Sequence, residues 1–195
     1  MARTHQLQDS EYHLNPAAIR KVIYATESFR DRCILKTFAQ TGIRRAELGA
    51  LDVRDVDLER RRLQVREGKG SKDRVLPITD ELASDLAHLI GKRKTGPLFV
   101  SLRGTAVSVR QLNRIVTDAG ARAGVENPNP KYAGRLTCHL FRHSFARAWK
   151  SKGGSIESLA KILGHSSTAT TVDLYGTESL DDVQRNYERV MQDLT

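Results

Sequence analysis

The sequence predicts a mainly α-helical domain carrying one small antiparallel β-sheet, an α+β arrangement. Two observations predict it. Through most of the chain apolar residues recur at i, i+3 and i+4, the spacing that lines one face of a helix. Between Val53 and Ile78 that period breaks, and extended segments flank the turn Gly68-Lys69-Gly70-Ser71, whose glycines accept positive φ.

Taken in order, residues 1–13 are polar and irregular and read as a linker or arm, with 14–195 as one folded domain. Asn15 and Pro16 supply a cap and a first-turn proline, and Ile19, Val22 and Ile23 follow at helical spacing. A second helix over 29–40 carries Cys33, Ile34, Leu35 and Phe38, and Gly42 is placed to stop it. A short helix then holds Ala46, Leu48 and Leu51 on one side. Segments 62–66 and 74–78 read as strands of a three-stranded sheet within Val53 to Ile78. Helices are predicted over 79–92, 107–123, 139–152, 156–163 and 179–193, with a connection between the last two and a loop over 126–134. In the last helix Tyr187 falls in the amphipathic run Leu180, Val183, Tyr187, Val190 and reads as packing.

The 195 residues fit one domain, and 39% hydrophobic content spread along the chain allows a sizeable core. Lys and Arg number 32 against 23 Asp and Glu, a formal charge of +9, which favours a polyanionic partner, nucleic acid first. Cys33 and Cys138 have no metal-ligand spacing and no disulfide pattern, and Cys33 reads as a buried small hydrophobe. No signal peptide or membrane-spanning run is visible, so the expected setting is the cytoplasm.

Four stretches could carry chemistry: Thr41-Gly-Ile-Arg-Arg-Ala-Glu-Leu48, Gly68-Lys-Gly-Ser-Lys-Asp-Arg74, His139-Leu-Phe-Arg-His143, and Leu163-Gly-His165 followed by Tyr175. Singly, each has an ordinary structural reading as a surface arginine, a hairpin turn, a helix-face pair or a helix end. Together they suit one reaction. Cleaving a phosphodiester without a metal needs cations on the non-bridging oxygens, a nucleophile, and an acid for the departing oxygen. Arginines offer forked donors to phosphate, a lysine at a hairpin tip can reach a leaving group, and a tyrosine can attack phosphorus. No metal or other cofactor is called for.

The order and content of these stretches resemble the catalytic domain of the tyrosine recombinases, the phage integrase family, from about Leu14 to the C-terminus. The family's first box, Thr-Gly-hydrophobic-Arg-x-x-Glu-Leu, implies Arg44 as the first catalytic arginine, with Arg45 as the alternative. Its hairpin lysine maps to Lys69, with Lys72 as second choice. The second box, His-x-Leu-Arg-His, implies His139 and Arg142, with Phe141 in the leucine place. Leu-Gly-His-Ser implies His165. Tyr175 is then the nucleophile, ten residues after His165 where the family usually has nine.

The resemblance implies a site-specific recombinase acting on double-stranded DNA through a 3′-phosphotyrosine. It also implies self-association as a tetramer on DNA through the C-terminal helix, whereas the family's N-terminal DNA-clamping domain has no counterpart in these 195 residues. Two other readings stay open: a basic DNA-binding protein without catalysis, and a type IB topoisomerase that shares the chemistry.

Overall fold

The computed structural model describes residues 12–66, 73–165, 167–176, 184, 187 and 188. Helix α1, Pro16–Tyr24, starts where Asn15 accepts a hydrogen bond from the Ala18 amide at 2.8 Å. Helix α2, Phe29–Thr41, is capped by Ser28 and ends at Gly42 in the left-handed region, φ 60°. Its Cys33, Ile34, Leu35 and Phe38 are buried, and α1 and three later helices pack around it. Helix α3, Arg45–Ala50, follows directly.

The sheet is the predicted three-stranded antiparallel one: β1 Val56–Asp57, β2 Arg62–Val65 and β3 Arg74–Pro77, in that order. Leu63, Val65 and Leu76 face the core, while Val75 points outward, 45% exposed. The start of the predicted extended region differs. Asp52 accepts from the Arg54 amide and turns Val53–Asp55 into a 3₁₀ helix before the first strand.

Helices α4, Asp80–Ile90, α5, Val109–Ala123, α6, Cys138–Ser151, and α7, Ile156–Leu163, lie close to their predicted ranges. Thr79, Ser108, Thr137 and Ser155 cap them in turn. The 126–134 loop is tied down by buried Asn127 and Asn129 and pairs Asn127 with Gly134.

One element lies where a connection was expected. Thr168–Tyr175 is a helix, α8, started by Ser167, which accepts from the Ala169 amide at 3.1 Å. Thr168, Thr170, Thr171 and Val172 are poor helix formers, so local sequence hides it. Packing against α7 supplies what propensity lacks. The predicted 179–193 helix lies outside the described residues apart from 184, 187 and 188. Tyr187, expected to pack, stands 58% exposed.

Most buried residues form one core, with a satellite of Ala146, Leu159, Leu163 and Tyr175 between α6, α7 and α8. Gly42 sits at the seam: a Cβ there would lie 2.6 Å from Phe145 Cδ1 and 3.0 Å from Leu163 Cδ2. Gly42→Ala is therefore expected to lose about 2–4 kcal/mol from backbone strain and overpacking. Urea unfolding checks this, and a loss below about 0.5 kcal/mol would show that the seam relaxes around a methyl group.

Candidate active site

The site is built on the C-terminal end of α7. A helix leaves its last carbonyls without intrahelical partners, and at this buried end three consecutive ones are taken by arginines. The Ile162 carbonyl accepts from Arg74 Nε at 2.9 Å, that of Leu163 from Arg142 Nη2 at 2.8 Å, and that of Gly164 from Arg44 Nη2 at 3.2 Å. The three arginines come from β3, from α6 and from the residue that starts α3. Arg142 also donates to the Gly42 carbonyl at 2.7 Å, so it joins the ends of α2 and α7. The negative end of the helix dipole favours these cations.

Glu47 holds two of the arginines together. Its Oε1 accepts from Arg44 Nη1 at 2.8 Å and Arg74 Nη1 at 2.9 Å, and its Oε2 from Arg74 Nη2 at 2.7 Å and the Arg44 amide at 2.8 Å. Burial opposes the charge on Glu47, but the bonds from Arg74 and Arg44 outweigh it and pull the carboxyl down to about 2. One carboxylate against three guanidiniums leaves the cluster positive. Arg142 feels this: burial and the nearby Arg44 push it down to about 10, so it stays charged at neutral pH.

His165 follows Gly164 and completes the cluster. Its Nε2 lies 3.1 Å from Arg142 Nη2 and its Nδ1 2.8 Å from Thr171 Oγ1. Arg142 can only donate, so Nε2 accepts and Nδ1 donates to Thr171. Burial and the charges of Arg142, Arg44 and Arg74 push this imidazole down to about 4, hence neutral.

His139 is exposed at the first turn of α6 and its ring meets that of His143 edge-on, centroids 4.2 Å apart. A cleft of about 700 Å³ opens beside the cluster, lined by Arg44, Arg45, His139 and Arg142 together with Arg135 and Tyr132. Such a basic cleft suits a phosphate backbone. Among the described residues, no group of His, Cys, Asp and Glu side chains is placed to hold a metal ion.

Arg44, Arg142 and His165 are thus brought together, and His139 borders the same cleft. Arg45, the alternative to Arg44, is exposed and reaches Asn113 Oδ1 at 3.4 Å instead. Tyr175 is placed differently. It is 2% exposed at the end of α8, and its hydroxyl shares a 3.2 Å hydrogen bond with His143 Nδ1. Burial pushes its phenol above the ordinary tyrosine range. Lys69 and Lys72 lie outside the described residues.

Sequence reasoning missed Arg74, Glu47 and His143 as site residues, though two left signals. Glu47 stands three residues after Arg44, the spacing of a capping box. Arg74 shares the inward face of β3 with Leu76, and a charged residue there implies a buried partner.

Burial, with His139, Arg142 and Arg147 nearby, pushes His143 down to about 3. In the unfolded chain an imidazole titrates near ~6.5. As pH falls through that value the unfolded state takes up protons that the folded state refuses, so stability present at neutral pH is lost toward about pH 3. His143 alone is expected to remove about 1–2 kcal/mol between about pH 7 and about pH 5. Urea midpoints at the two pH values should converge in His143→Gln, and an unchanged difference would assign the loss to other groups.

The sequence profile of the phage integrase family matches residues 7–180. Tyrosine recombinase XerC of Corynebacterium glutamicum is 34% identical over 150 residues, covering 74% of this chain and 46% of that protein. Tyrosine recombinase XerA of Saccharolobus solfataricus is 31% identical over 179 residues, covering 91% of this chain and 56% of that protein. The chain spans about half the length of the curated relatives it matches. In the crystal structure of XerA recombinase, 64% of that chain matches 91% of this one at 31% identity, with a TM-score of 0.75. A post-cleavage complex of the XerH site-specific recombinase with palindromic difH substrate matches at 25% identity and TM-score 0.66, covering 91% of this chain and 52% of that one. With its profile spanning nearly the whole sequence and its helices and small sheet laid out as in XerA, this chain belongs to the phage integrase family.

Proposed function

We propose that this domain cleaves and rejoins double-stranded DNA at specific sites through a covalent 3′-phosphotyrosine. The observation that carries the reading is the convergence of Arg44, Arg142 and His165 on the end of α7 beside an open basic cleft. Relatives named tyrosine recombinases and the DNA complex of XerH support it.

Tyr175 Oη attacks phosphorus, the bond from phosphorus to the 5′ oxygen breaks, and Lys69 gives a proton to that departing oxygen, which leaves as the 5′-hydroxyl. His139, at the mouth of the cleft, assists removal of the tyrosine proton. Arg44 and Arg142 carry the charge that grows on the non-bridging oxygens. His165 Nε2 accepts from Arg142 at rest, so it must gain a proton before it can donate to phosphate; the anion itself favours that gain. Tyr175 must leave its contact with His143 to attack. A 5′-hydroxyl reversing the first step reseals the strand, so the phosphoryl bond is conserved and no ATP is consumed.

Exchange between two duplexes needs several protomers, and the 179–193 segment is the proposed contact that joins four of them. Work on chromosomal or phage DNA would place the protein with the nucleoid.

The test uses suicide duplexes, nicked beside the cleavage point and tiled across the DNA flanking the chain's own gene. A covalent adduct is expected with the wild-type chain and none with Tyr175→Phe. Binding without an adduct would favour a non-catalytic binder, and relaxation of plasmids lacking any site would favour a topoisomerase. Lys69→Met is expected to slow adduct formation by roughly 100-fold on the oxygen leaving group. A 5′-bridging sulfur, which leaves without a proton, should restore it; equal slowing on both substrates would remove Lys69 as the acid.

A further inference from the structure

Arg74 takes no part in the reaction just described, yet it is bonded more deeply into the site than Arg44. It is 9% exposed, pairs end-on through Nη1 and Nη2 with both oxygens of Glu47, and donates Nε to the Ile162 carbonyl. Glu47 in turn fixes Arg44 twice, at the guanidinium and at the backbone amide. The direct side-chain link from Arg74 to Arg44 therefore runs through the largely buried Glu47 carboxylate. Arg74 is also the first residue of β3, five after Lys69 and paired with Val65, so it ties the root of the β2–β3 hairpin to the end of α7. The fit is close. A Cβ on Gly164, beside His165, would lie 3.0 Å from Arg74 Cδ, Nε and Cζ, so the glycine makes room for the guanidinium.

We propose that Arg74 is a positioning residue: it holds Glu47 and, through it, the Arg44 guanidinium in the orientation that meets phosphate. Its Nε, Nη1 and Nη2 all donate to protein acceptors, so it acts on the reacting phosphate through Arg44. A lysine has a point charge without the fork and cannot serve Glu47 and Ile162 together. The inference rests on the recombinase reading and deepens it.

The experiment measures single-turnover adduct formation on two nicked duplexes, one with a normal scissile phosphate and one with a neutral methylphosphonate there. A neutral centre grows less charge, so it relies less on Arg44. Arg74→Met and Arg74→Lys are expected to slow the phosphate reaction by roughly 100-fold, the scale of an ångström's misplacement. On methylphosphonate the deficit should shrink, as it does for Arg44→Ala. Adding Arg74→Met to Arg44→Ala should cost little more on phosphate. The ratio of the two rates is taken within one preparation, so a partly folded variant still gives an answer. Equal deficits on both substrates, or additive losses in the double variant, would overturn the positioning role and leave Arg74 as a stability residue. A wild-type rate in Arg74→Met would overturn it too. A wild-type chain that forms no adduct on bound DNA would instead sink the recombinase reading, and this inference with it.

Discussion

Everything at the candidate site depends on how the C-terminus of α7 is satisfied. Buried carbonyls left without donors cost about 1–3 kcal/mol each. Here three in a row are met by arginines from three separate elements. Against a typical domain stability of about 5–15 kcal/mol, that is a substantial fraction. The fold is therefore held partly by two side chains, Arg44 and Arg142, that are also proposed to meet a phosphate. Displacing any one of these arginines disturbs both a helix end and a cation. Gly164 lets the helix stop with φ 66°, and the next residue, His165, enters the cluster as a direct result.

Electrostatics follow from that packing. Three guanidiniums surround one carboxylate that pairs with two of them, and their surplus charge reaches the neighbouring groups. It helps hold His165 neutral and lowers Arg142 while leaving it cationic. A phosphodiester entering the cleft would reduce this positive field, so the group whose titration would change most is the imidazole, not the arginines.

Much of the fold was legible in the sequence because its signals are local. Asn15-Pro16, Gly42 and Gly164 end or begin helices through caps that act within a turn. The core face of β2 and β3 follows from alternation. Helix α8 was hidden because its threonines and valine argue against a helix and only contact with α7 overrides them. At the site, Arg44, His139, Arg142 and His165 were legible as residue types in a recognisable order. The role of Arg74 was not, since its partners Glu47 and Ile162 stand 27 and 88 positions away in the chain. Nor could spacing foretell that Tyr175 would turn its hydroxyl toward His143, a contact 32 positions apart.

The seat of Tyr175 in the satellite core has a thermodynamic side. Withdrawing the ring from Ala146, Leu159 and Leu163 and breaking its hydrogen bond costs about 3 kcal/mol. At that gap roughly one molecule in a hundred to two hundred presents the hydroxyl at any moment. The hydroxyl proposed as nucleophile is therefore scarce by default, and any ligand that recruits it gives up a matching fraction of its affinity. Scarcity of this kind acts as a threshold: a chance encounter with a phosphate leaves the hydroxyl buried, and only an assembly with binding energy in reserve can hold it out.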